Sequence, residues 1–272
     1  MMSRRWKVTK LVERLPKLRD PVLIEGLPGI GNVGKVAVDY LIDELEAEPA
    51  YEFFSYSLPH SVFVNEDNLV QLPAITLHYK RLERGNQDLL LLAGDVQPAD
   101  EAGCFEFSDA LLDLTIPLGL SEVITLGGIG LPTMPADPIV YVTGNSEKRI
   151  ELYAREGGAE KNLFGVVGPI IGVSGLLVGL ASRRDIQAVT LLAETYGHPM
   201  YLGLKGARRI LSLLDARLDL GLDLKKLDEE IDEMEANHET SGSSSGSKTP
   251  LLNEKGLSAL GPGMGKETNY IG

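Results

Sequence analysis

Four glycines within nine residues, Gly26, Gly29, Gly31 and Gly34, constrain the fold of this chain more tightly than any other feature. They follow a short apolar run, Leu23-Ile24-Glu25, and lead at once into Lys35 and an amphipathic stretch. An apolar run, a glycine-dense turn and an amphipathic segment spell a strand, a sharp corner and the start of a helix. Gly29-Ile30-Gly31-Asn32-Val33-Gly34 fits the dinucleotide pattern G-x-G-x-x-G, and Gly29 to Lys35 fits all but the last position of the P-loop. The rest of the chain decides whether these glycines approach a phosphate or another part of the backbone.

Beyond Gly31, Val33, Val36, Ala37, Tyr40, Leu41 and Leu45 recur at three- and four-residue steps. They form one apolar helix face, with Asn32 placed as its N-cap. Ahead of the corner, Leu11, Leu15 and Leu18 fit a short helix or an irregular lead-in over 8–18. Further strands are expected at 51–57, 75–79, 88–94, 122–128, 139–144 and 187–194, with a hairpin formed by 62–64 and 69–72. Helices are expected at 101–118, at 147–156 behind a capping Ser146, at 172–182 and at 207–218. This alternation predicts a three-layer α/β fold, a mostly parallel mixed sheet with helices on both faces. Three strands end in glycine, at Gly26, Gly94 and Gly127-Gly128. In an open α/β sheet such ends line one edge, where ligands bind. A hydrophobic content of 43% supplies the core of one domain over 1–222.

After Gly221 the character changes. Leu224, Leu227, Ile231 and Met234 step by three, four and three, and residues 223–239 hold eight acidic side chains against two lysines. An acidic amphipathic helix follows, its seam suited either to a solvated face or to an oligomer or partner contact. From Thr240 to Gly272 the sequence turns Ser/Gly-rich, the composition of a flexible tail. A tail of that length reaches roughly 30 Å on average.

The formal net charge of −13 repels phosphate backbones, so nucleic acid is not an expected partner. The Lys/Arg cluster in residues 1–19 reads as a solvated first element. A single cysteine, Cys104, rules out an internal disulfide and suits a reducing compartment. No apolar run has the length to span a bilayer, and the first residues lack a secretory h-region. A soluble, cytoplasmic protein without membrane partners is expected.

Nucleotide chemistry fares poorly on the residues. Val36 stands where a P-loop needs a hydroxyl for magnesium. The dinucleotide reading lacks its acidic residue, since Glu52 lies at the wrong end of the next strand. The glycines of the corner (Gly26, Gly29, Gly31 and Gly34, with Asn32) are then structural, allowing close helix–sheet packing, or form an anion site at the helix N-terminus. Ser174, Asp185 and His198 occur in the hydrolase order, but Gly172-Val173-Ser174-Gly175-Leu176 lacks the second glycine of a nucleophile elbow. Ser174 reads as a helix cap instead. The four histidines, His60, His78, His198 and His238, show no ligand spacing, so no metal is expected. No catalytic set and no cofactor emerge.

Several motifs recur together in order. They are Glu25 to Lys35, Gly94-Asp95-Val96-Gln97-Pro98, Leu126-Gly127-Gly128-Ile129-Gly130, and Gly168-Pro169-Ile170-Ile171-Gly172 running on to Leu177. With them the chain, over about residues 10–220, resembles the proteasome assembly chaperone family, its archaeal branch above all. The resemblance implies a phosphorylase/hydrolase-like α/β fold, homo-oligomers and chaperoning of proteasome core-particle α-subunits without catalysis. Some relatives carry a C-terminal hydrophobic–tyrosine–any-residue motif that docks on the α-ring. The resemblance extends that role to Tyr270, Ile271 and Gly272, although Tyr270 is third from the end and follows Asn269. The alternative is a nucleoside- or phosphate-directed enzyme using the glycine-lined strand-end cleft.

Overall fold

The computed structural model describes residues 6–165, 168–199 and 201–241, the last seven by their backbone alone. In chain order they form β1 (Lys7–Lys10), β2 (Val22–Glu25), α1 (Val33–Glu44), β3 (Glu48–Phe54), β4 (Phe63–Val64), β5 (Val70–Gln71), β6 (Ile75–Lys80) and β7 (Leu89–Gly94). There follow α2 (Glu101–Thr115), β8 (Glu122–Leu131), β9 (Val140–Gly144), α3 (Glu147–Gly157), α4 (Val173–Ser182), β10 (Gln187–Tyr196), α5 (Leu204–Leu218) and α6 (Lys225–Ser241).

Among the described residues eight strands make one sheet in the order β1-β3-β6-β7-β2-β8-β10-β9, while β4 and β5 pair with each other. The central strands β7, β2, β8 and β10 run parallel. Antiparallel pairing adds β6, β3 and β1 on one side and β9 on the other. Five strands, β2, β3, β7, β8 and β10, therefore point the same way, as the alternating sequence predicts for a mostly parallel mixed sheet.

All six residues of β7 are buried, because both sheet faces are covered. Leu89, Leu91 and Ala93 pack in a core with residues of α1, α3 and α5. Leu90 and Leu92 alternate to the opposite face, against Phe107, Leu111 and Leu112 of α2 and Val173 and Leu177 of α4. The result is three layers. Trp6 and Phe53 close one flank over the Phe107 ring, with centroids 4.7 and 5.2 Å away.

Three local expectations are corrected. Residues 7–10 form the edge strand β1, which was not expected, and of the two readings of 8–18 the helix is not formed, the leucines at 11, 15 and 18 lying in the irregular lead-in that was the other. Strand β3 starts at Glu48 and contains Pro49, which lies beyond the reach of β1 and at a register shift in the β6 pairing. Ser146 holds the N-cap position of α3 but its side chain makes no capping bond.

The apolar seam of α6 turns onto the molecule's own core. Leu227 is buried, Leu224, Ile231 and Met234 pack beside it, and Arg208 of α5 donates to Asp228 at 2.8 Å. The helix continues to Ser241, two residues past its expected end at 239. Leu227→Ala should lower unfolding stability by about 2 kcal/mol in urea titration, the cost of a buried leucine near the end of a domain. A helix held only by solvent would show no such loss.

Candidate functional site

The carboxyl ends of β7, β2, β8 and β10 meet at one edge of the sheet, and the glycine turn sits among them. After β2 the chain passes through Leu27-Pro28-Gly29 into a single 3-10 turn, Ile30–Asn32, and then α1. Gly31 (φ 61°) and Asn32 (φ 49°) are both left-handed, a conformation open to glycine and tolerated by asparagine. Asn32 occupies the N-cap position of α1, yet its side chain makes no capping bond.

Space explains the other glycines. A Cβ on Gly26 would lie 2.1 Å from the Gly34 carbonyl oxygen, and one on Gly34 would lie 2.4 Å from the Leu126 carbonyl oxygen of β8. A Cβ on Gly128 would lie 2.3 Å from the Ile30 carbonyl oxygen. The turn is thus wedged between its own strand and β8, backbone against backbone. Across its outer side the Gly203 N–H donates to the Gly31 carbonyl at 2.7 Å. Gly29 differs, because an added Cβ there meets nothing nearer than 4.0 Å. Lys35, at the P-loop lysine position, is buried and paired with Asp39 one turn on, at 2.9 Å. Burial raises the Asp39 carboxyl above its usual range, and Lys35 opposes that shift.

Glu25, the last residue of β2, is a fully buried ionisable group at this edge. Its Oε1 accepts from the Leu27 N–H at 3.0 Å, while Oε2 makes no hydrogen bond of full geometry. Desolvation pushes its pKa up to about 7, against the pull of the Leu27 N–H and of the Ser174 side chain. Ser174 is the second residue of α4 and faces Glu25; the N-cap is Gly172, so the expected serine cap is not formed. Gln97, just past β7, completes the joint. Its Nε2 donates to the Pro28 carbonyl at 2.6 Å and its Oε1 accepts from the Val173 N–H at 3.1 Å. Glu25 and Gln97 therefore tie the glycine turn, the loop after β7 and the start of α4 into one unit.

The hydrolase residues do not assemble. Asp185 lies in the turn before β10, and His198 beyond its other end, stacked on Tyr196. The ten-residue strand between them spans roughly 30 Å. Among the described residues no three His, Cys, Asp or Glu side chains are grouped to hold a metal ion, and no helix is long and apolar enough to cross a membrane. Cys104 is half-buried, with burial raising its thiol pKa. Tyr270, Ile271 and Gly272 lie outside the described residues.

Sequence reasoning missed Glu25 and also Glu122, the first residue of β8 at the opposite edge. Glu122 is fully buried, with Arg149 at 3.4 Å and Tyr153 beside it. The available signal was an acidic residue flush against an apolar run, in Val22-Leu23-Ile24-Glu25 and Glu122-Val123-Ile124. A central strand buried on both faces buries its end residues too.

Fold and edge together define a three-layer α/β protein whose nucleotide-like corner is a packed joint. Residues 23–240 match the sequence profile of the PAC2 family, and the chain belongs to that family, the proteasome assembly chaperones its motifs resemble. Pyrococcus furiosus PbaB, an archaeal proteasome activator, is 31% identical with a TM-score of 0.80, covering 89% of this chain and 100% of that one. P. furiosus PbaA, an archaeal homologue of proteasome-assembly chaperone, shares the fold at 23% identity and a TM-score of 0.69, covering 86% and 91%. An uncharacterised protein of Methanocaldococcus jannaschii is 27% identical over 198 residues, 70% of this chain and 72% of its own.

Proposed function

We propose that this protein is a non-catalytic, homo-oligomeric chaperone or adaptor that binds proteasome core-particle α-subunits in the cytoplasm, without a cofactor. The observation that carries the reading is the similarity to PbaB, at 31% identity over the whole of that chain. The packed corner agrees with it, because backbone contact alone accounts for the glycines at 26, 34 and 128.

Helix α6 adds a geometric reason to include the tail. Helix α5 descends from the strand-end edge, and α6 runs back beside it, from Asp223 near Glu44 to Asp228 on Arg208. Residues 242–272 thus follow a helix directed toward the strand-end edge, and Tyr270, Ile271 and Gly272 are the proposed docking residues.

Pull-down of full-length protein with assembled α-subunits tests the reading. Binding is expected, and deletion of residues 242–272 should weaken it at least tenfold. No binding by the full-length chain, where a control proteasome activator binds, overturns the proposal. Equal binding by the deletion overturns the role of the tail.

A further inference from the structure

The sheet edge opposite the glycine corner carries its own buried ionisable group. Glu122 opens β8, Gln187 opens β10, and the two are register partners in a parallel pair. Their side chains therefore stand on the same face, shared with Ile124 and Val189 and covered by α3 and α5. Glu122 is fully buried, yet among the described residues neither of its oxygens makes a hydrogen bond of full geometry. The same holds for the Tyr153 hydroxyl beside it. Arg149 of α3 faces the carboxyl at 3.4 Å, and Arg217 of α5 lies over the Tyr153 ring, 5.8 Å from its centroid. Burial raises the Glu122 carboxyl above its usual range, against the pull of Arg149, Arg217 and Tyr153. Replacing a buried ion pair by apolar side chains is commonly neutral or stabilising, so stability alone does not account for this one.

Arg149 has a second side. It is a quarter exposed and lines an open cavity of about 590 Å³ with Lys148, Glu151, Leu152, Arg155 and Gln187. Residues 148, 151, 152 and 155 share one face of α3, at the i, i+3, i+4 and i+7 positions. Lys148 and Arg155 are exposed, and among the described residues neither has an ionic partner. Glu151, the acid of the lining, pairs with Lys161, and Glu147 in the first turn of α3 does not line the cavity. A chain of net charge −13 thus gathers three cations around one cavity whose acid is already neutralised. A guanidinium faced from behind by a buried carboxyl is fixed in place, and its remaining N–H groups are open to an oxyanion. Leu152 and the aliphatic stems of the cations supply apolar wall, and the volume is that of a small-molecule site.

We infer that this cavity binds a small polyanion, a molecule carrying two or more phosphate or carboxylate groups, through Arg149, Lys148 and Arg155. The site lies at the far edge of the sheet from the glycine corner and stands independently of the proteasome reading.

The test is titration of the full-length protein with tripolyphosphate, citrate and inorganic phosphate, read by calorimetry and by melting temperature. Ionic strength is held constant with KCl, because a chain of this charge also responds to screening. Tripolyphosphate or citrate should bind and raise the melting temperature in a concentration-dependent way, with inorganic phosphate at least tenfold weaker. Binding of tripolyphosphate alone identifies a phosphate ligand, binding of citrate alone a carboxylate one, and both support the site. K148E/R155E should weaken binding at least tenfold with an unchanged melt in the absence of ligand, since both side chains are exposed. Arg149→Lys keeps a cation opposite Glu122 but loses the guanidinium fork, and should weaken binding at least fivefold. A flat response to tripolyphosphate and citrate alike, or a rise that KCl reproduces, overturns the site. Equal affinity in K148E/R155E places the binding elsewhere and overturns it as well. Inorganic phosphate binding as tightly as tripolyphosphate and citrate overturns the polyanion assignment.

Discussion

Gly34→Ala will leave little folded protein at room temperature. The added Cβ would lie 2.4 Å from the Leu126 carbonyl oxygen and 3.0 Å from its carbon, both backbone atoms of a central strand. No rotamer change relieves such a contact. Helix α1 would have to lift from β8, and the core shared by Val33, Val36, Ala37 and Leu41 with Ile124 and Leu126 would open with it. Overpacking usually costs about 1–3 kcal/mol, but a clash that separates two whole elements belongs to the tail beyond about 4 kcal/mol. Gly29→Ala provides the contrast within the same motif. Its Cβ has free space and its φ of −157° is extended backbone, so the melt should stay within about 1 kcal/mol of wild type. Gly179→Ala, inside α4 with nothing within 4 Å, should gain about 1 kcal/mol of helix propensity. A dinucleotide site ranks the corner differently, because its first fingerprint glycine makes the tight turn around the ligand. Denaturant titration of the three variants measures the ranking. A Gly34→Ala protein within about 1 kcal/mol of wild type would sink the packed-joint account.

That ranking also marks where the sequence was legible. Apolar runs ending in glycine, such as residues 88–94, state both their burial and their boundaries, since a strand covered on both faces admits no polar alternation. The hairpin of 62–64 and 69–72 was equally plain, because Asn65 supplies the turn; its side chain accepts from the Asp67 and Leu69 N–H groups. Strand β1 was not legible. Four residues with one exposed valine carry no periodic signal, and the strand's one partner among the described residues is β3, some forty residues on. The seam of α6 showed its spacing but not its partner, since nothing local tells Leu227 whether it meets α5 or another chain. The joint at the strand ends was the least accessible. The partners of Glu25 and Gln97 come from segments as much as 150 residues away, and only the assembled sheet brings them together.

Glu25→Gln should make the protein more stable at pH 8 and leave it nearly unchanged at pH 5. The buried carboxyl has its pKa raised from an ordinary 4.5 to about 7, chiefly by desolvation. The folded state therefore holds a proton that the unfolded chain releases between those values. The stability this group supports is fully present below about pH 4.5 and is lost as pH rises through about 7. At 1.36 kcal/mol per pH unit the loss is on the order of 3 kcal/mol, undiscounted because the side chain is fully buried. Glutamine matches the protonated carboxyl in shape, and its Oε1 retains the bond from the Leu27 N–H. It cannot ionise, so the variant escapes the loss. For a domain of this size the difference corresponds to roughly 6–12 °C in melting temperature at pH 8. Asp39 and Glu122 are also raised by burial and tilt both proteins alike, so the difference between the two melting curves isolates Glu25. Parallel wild-type and Glu25→Gln curves from pH 5 to pH 8 would mean that Glu25 is ionised in the folded protein. The joint between the glycine turn and α4 would then rest on a buried carboxylate at the start of that helix, stabilised by its dipole. Divergence in the expected direction means that the joint is held by a neutral acid and loosens above neutral pH, at the edge where the glycine turn meets α4.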